Sequence, residues 1–289
     1  MKTYWHFLQR SPAPMRVLGF LAGVLLVAAP WVVPLYQFEY EATSGRSVIW
    51  APVCLFGVFV LGLPFWARYI HHLKRPWPAL GIEGGSQWWK HWGLAFLVGT
   101  IGVLLLYALQ LALGWGVWVP PTNSEKVFRH LWEGFLVGVG VGIAEELVFR
   151  GWLLFELEQD YGPSIALWVN AFLFAIAHYF RPIAAIIETW PQFVGLLLLG
   201  LTLVWARRIP AKSKQFNAPK TLLGAAAGLH GGLVWANYQV DVNDLVLATG
   251  KIPEWVTGIG GNPLAGLLGV GLLGAIACVT YRASHLPQV

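Results

Sequence analysis

The stretch Gly134–Phe155 reads GFLVGVGVGIAEELVFRGWLLF and decides how the chain is built. It is long and apolar enough for a helix that crosses a bilayer, which needs about 20 such residues. Yet it carries Glu145, Glu146 and Arg150 within a single six-residue window. A charge near the bilayer centre costs at least about 2.5 kcal/mol, and three together are hard to explain as packing. Gly134, Gly138 and Gly142 form two overlapping GxxxG steps in the same stretch, a pattern that lets another helix backbone approach closely.

Working outward, the whole sequence has the same character. Of its 289 residues 57% are hydrophobic and 11% charged, against about 25% charged in a soluble domain. Eight apolar runs are present, at 17–36, 48–67, 91–113, 131–158, 164–180, 191–207, 221–238 and 262–281. The expected fold is therefore an all-α, polytopic integral membrane bundle of about eight transmembrane helices. No repeat or low-complexity tract divides it, so 1–289 reads as one membrane domain. The first run is too long for the apolar core of a cleavable signal peptide, about 7–15 residues. No targeting segment assigns the chain to a particular membrane.

Basic residues support the even span count. With a cytoplasmic amino terminus, the inner segments hold Lys2, Arg10, Arg16, Arg68, Lys74, Arg75, Lys90, Arg207, Arg208, Lys212, Lys214, Lys220 and Arg282. The outer segments hold only Arg46, Lys126, Arg129, Arg181 and Lys251. This bias follows the positive-inside rule and puts both termini in the cytoplasm. The net charge of +5 thus reflects topology and anionic lipid rather than nucleic acid. Trp88-Trp89-Lys90-His91-Trp92 reads as an interfacial anchor. Cys54 and Cys278 read as buried structural thiols with no disulfide framework.

Away from helix ends, the titratable residues inside the runs are Glu145, Glu146, Arg150, His178 and His230. The fourth helix is expected to continue to about Glu158. A turn follows at Asp160–Pro163, and Ser164 caps the next helix. Glu145 and His178 then lie roughly 21–23 Å from the same turn, at one depth. His230, counted from Pro219, lies about 16 Å in from that side. Glu146 and Arg150 are spaced i,i+4 and share a helix face, whereas Glu145 points about 100° away. Glu146 is thus the partner of the arginine, and Glu145 is left to serve as a general base. A zinc site built from Glu145 and the two histidines is the main competing chemistry, although no HExxH is present. No serine belongs to the cluster and no Asp lies mid-span, which argues against serine and aspartyl-dyad chemistry. A proton-relay transporter also uses buried acids.

Glu145-Glu146-LVF-Arg150 is an EExxxR motif, and Phe174-AIA-His178 is an FxxxH motif beginning on the next run. With His230 on a later run, this order resembles the CPBP family of intramembrane proteases. That family includes the type II CAAX prenyl endopeptidases and bacteriocin-processing proteins. The resemblance covers about residues 130–240. It implies a metal-independent glutamate endopeptidase without a cofactor, acting on a peptide or a prenylated protein near the inner half of the bilayer. It implies that Glu145 and His178 activate water, Glu146 and Arg150 support them as an ion pair, and His230 stabilises the oxyanion. One position departs from the family's HxxxN motif, because Val234 stands where the asparagine is expected. Asn237 lies about 10 Å farther along a regular helix and would reach the same oxygen only if Gly231-Gly232 break that helix. Backbone N–H groups at those glycines are the other candidate donors. The departure favours the alternative of a non-catalytic membrane scaffold or assembly factor that kept the fold.

Overall fold

A computed structural model describes residues 2–44, 47–211 and 220–286. Arg46, Lys212, Lys214 and Pro219, used in the topology and depth arguments, lie outside these residues. The protein is all-α and multi-pass. Each of the eight apolar runs coincides with a helix, and the described residues group into two compact units.

The first unit comprises Met1–Leu80 with Phe155–Gly162. It holds α1 (Lys2–Arg10), α2 (Ala13–Thr43), α3 (Trp50–Tyr69), α4 (Pro76–Ala79) and nearly all of α7 (Leu154–Asp160). Glu39 near the end of α2 accepts N–H bonds from Ile49, Trp50 and Ala51 at 2.8–3.0 Å, satisfying the open donors at the start of α3. Buried Glu156 is held by Arg16 Nε at 2.9 Å, Trp66 Nε1 at 2.6 Å and His71 Nε2 at 2.7 Å. Large side chains such as Leu26 and Leu61 are exposed. They suit lipid, since a soluble monomer rarely shows such a surface.

The second unit comprises Gly81–Leu154 and Pro163–Val289. It contains α5 (Ser86–Ala112), α6 (Ser124–Glu146), a π-helical turn (Leu147–Leu153), α8 (Pro163–Ala177), α9 (Ile183–Thr189), α10 (Gln192–Arg207), α11 (Gly224–Val242), α12 (Glu254–Thr257) and α13 (Leu267–Ser284). Two short antiparallel ladders complete it, β1 (Gly116–Trp118) with β4 (Val246–Ala248) and β2 (Pro210–Ala211) with β3 (Lys220–Thr221). Helices α2, α3, α5 and α13 are each long and apolar enough to cross a membrane. The pair α9–α10 bends by 80° at a break containing Pro191, and α8 is shorter and apolar.

Helix α11 forms the core of this unit because its small residues admit neighbours on two sides. A Cβ added to Gly142 of α6 would lie 2.6 Å from the Ala227 carbonyl oxygen, and one on Gly138 would lie 2.7 Å from that of Gly231. On its other side, Gly224, Gly228 and Gly232 meet the carbonyls of Trp88, Trp92 and Phe96 in α5. This contact repeats every four residues on both helices.

Several local expectations are revised. Helix α8 begins at Pro163, so Ser164 sits inside its first turn rather than at the cap. Proline suits that first position because its missing N–H has no helical partner there. Helix α11 starts at Gly224, so His230 lies nearer its beginning than the Pro219 count implied. Cys278 is exposed and Cys54 only half-buried, and both are free thiols. Within the tryptophan cluster Trp89 is exposed, while Trp88 is buried against Ala211 and Leu222.

Candidate functional site

Five side chains converge in the second unit from α6, the π turn, the end of α8 and the first half of α11. Arg150 Nη1 donates to Glu146 Oε1 at 2.9 Å, as the i,i+4 spacing anticipates. Both side chains are fully buried. The guanidinium lies over the Phe174 ring, 4.1 Å from its centroid, and Nη2 donates to the Gly200 carbonyl at 3.1 Å. A buried cation thus has a carboxylate, a carbonyl and an aromatic face, which offset its desolvation.

Glu146 has a second partner that spacing alone did not reveal. His230 Nδ1 donates to the same Oε1 at 2.9 Å. A carboxylate only accepts, so this nitrogen carries a proton. His178 Nδ1 donates to the Phe174 carbonyl at 2.8 Å. In a neutral ring His178 Nε2 is then the bare nitrogen. That atom lies 3.9 Å from Glu145 Oε2, and His230 Nε2 lies 4.0 Å from the same oxygen. Glu145 Oε2 is buried and has no hydrogen-bond partner among the described residues, a condition rare enough to need a reason. The Glu145 and His178 side chains are about one-third exposed, at 34% and 32%.

The π turn belongs to the site's construction. Its wider winding changes the backbone hydrogen-bond pattern. Asn170, fully buried in α8, donates to the Phe149 carbonyl of that turn at 2.7 Å. This ties α8 to the turn that carries Arg150. Neither the π turn nor Asn170 was anticipated. A buried polar residue one helical repeat from Phe174 is the signal that could have found Asn170.

A cavity of about 400 Å³ opens beside these groups, lined by His178, His230, Val234, Asn237, Asp241 and the Gly260–Asn262 loop, among others. Val234 presents an apolar wall one turn from His230. Helix α11 is unbroken through Gly231-Gly232, which corrects the expectation of a break or of free backbone donors there. Those glycines serve packing instead, and Asn237 stays two turns away with its Oδ1 accepting from the Tyr107 hydroxyl at 2.9 Å. Among the described residues no three His, Cys, Asp or Glu side chains form a metal-binding group.

Fold and cavity together define a polytopic helical membrane protein with an acid–histidine centre inside its bundle. Residues 127–235 match the family model described as Type II CAAX prenyl endopeptidase Rce1-like. The matched segment contains Glu145, Glu146, Arg150, His178 and His230, and it agrees with the resemblance carried by the motifs. The match covers 109 of the 289 residues, and the helices long and apolar enough to cross a membrane agree with an integral membrane protein. Comparison with curated proteins and with solved structures found no match.

Proposed function

We propose that the protein is an endopeptidase in which Glu145, working with His178, activates a water to cleave a membrane-associated or prenylated protein. The carrying observation is that Glu145 Oε2 lies 3.9 and 4.0 Å from the two imidazole Nε2 atoms. A water making hydrogen bonds of about 2.8 Å spans such a gap with an angle near 90°. Glu145 takes one proton from that water while its oxygen attacks the peptide carbonyl. The new C–O bond gives a tetrahedral oxyanion. When the C–N bond breaks, the proton passes to the leaving amine and His178 Nε2 is placed to relay it.

Its position gives His230 its part. His230 is held by Glu146 through Nδ1 and borders the cavity. With a proton on Nε2 it donates to the oxyanion, where one well-placed donor is worth about 10²–10³ in kcat. Val234 supplies no such donor, so His230 carries this load without an asparagine beside it.

The test is cleavage of a quenched peptide library by purified protein in detergent, with and without chelator. Wild-type cleavage should survive chelator. Glu145→Ala should lower kcat by about 10²–10⁴, the range for loss of a general base. Equal cleavage by the variant would remove Glu145 from the mechanism. Loss of wild-type activity in chelator would point to a metal-dependent reaction.

A further inference from the structure

One face of α11 lines the cavity along most of its length. His230, Leu233, Val234, Asn237, Tyr238 and Asp241 all border it, at the i, i+3, i+4, i+7, i+8 and i+11 positions of a single stripe. Asp241 is exposed and also borders an adjoining cavity of about 210 Å³, together with Asp244. From His230 to Asp241 the helix rises about 16 Å. An extended peptide covers that distance in about five residues.

Asn237 lies between these two levels, about 10 Å from His230. The Tyr107 hydroxyl occupies its Oδ1. Its Nδ2 has no acceptor among the described residues, so the amide offers N–H groups to whatever lies along the stripe.

We infer that the cavity binds an extended peptide running along α11, and that Asp241 selects a cationic group about five residues from the scissile bond. Asn237 donates to a backbone carbonyl between them. The inference rests on the cavity being the substrate site. It narrows the substrate class: a carboxylate about five residues from the scissile bond would meet Asp241 with like charge. A basic segment at that distance would be held.

The test uses the full-length protein in phosphatidylcholine nanodiscs with fluorescein-labelled ten-residue peptides. These are identical apart from paired Lys, Gln or Glu near one end. Fluorescence anisotropy should show the wild type binding the lysine peptide about two- to fivefold more tightly than the glutamate peptide, the scale of a partly exposed ion pair. Asp241→Asn should level that preference and Asp241→Lys should reverse it. Asn237→Asp keeps an acceptor for Tyr107, removes the N–H groups and should weaken the glutamine peptide several-fold. A preference absent in the wild type, or unchanged in both Asp241 variants, overturns the role of Asp241. Unchanged affinity in Asn237→Asp overturns that of Asn237. Peptides that bind with the stated charge preference yet are never cut would refute the protease reading while upholding this one.

Discussion

Glu146 is the residue on which the cluster's electrostatics turn. One of its oxygens accepts from both Arg150 and His230, each at 2.9 Å, inside a fully buried pocket. Glu146→Gln should therefore destabilise the protein by about 3–5 kcal/mol, because it leaves Arg150 buried without its counter-charge. Thermal unfolding in detergent checks this, and an unchanged midpoint would mean that the Gly200 carbonyl and the Phe174 ring suffice. Val234 is the complementary position. Val234→Asn restores an amide one turn from His230 on the cavity wall, and kcat should rise by about tenfold or more if oxyanion donors limit the rate. Steady-state kinetics on any cleaved peptide measures this; a rise in KM with no gain in kcat would place position 234 in substrate packing. At this scale the spacing of Glu146 and Arg150 was readable from the chain alone. The shared bond to His230 was not, because residues 84 apart meet only through packing.

At the scale of elements, α11 joins α5 and α6 through backbone-to-backbone approach. The second GxxxG series, Gly224, Gly228 and Gly232, is as visible in the sequence as the one in α6, but its partner is not. Gly228→Ala should cost about 1–3 kcal/mol, the range for overpacking a tight contact, since its Cβ would collide with the Trp92 carbonyl. Gly140→Ala is the control, because no atom lies within 4 Å of a Cβ there. It should be neutral or slightly stabilising through helix propensity. Equal melting of the two variants would separate the glycine stripe from the packing argument. The π turn at Leu147–Leu153 belongs to the same scale. Periodicity reads a helix through these residues but does not register one slightly wider turn, whose Phe149 carbonyl accepts from Asn170 of α8.

For the whole molecule, the distribution of Lys and Arg predicts both termini on the cytoplasmic side, with an even number of spans between them. Cysteine-accessibility labelling at engineered terminal sites in sealed vesicles should report the same side for both. Opposite sides would break the eight-span topology. This prediction is independent of the site chemistry, because it depends on loops rather than on buried side chains.

The sequence by itself determined the membrane class, the helical positions and the identities of the buried charges. Each of these follows from local physics: apolar run length, the 3.6-residue turn, and the expense of a charge in lipid. Tertiary structure decided which groups share atoms. It set Glu145 almost equally far from two imidazoles, bound His230 to Glu146 and kept α11 unbroken so that its glycines pack while Asn237 faces the cavity. Those outcomes depend on how helices distant in sequence fit against one another, a matter of shape complementarity that no local spacing encodes.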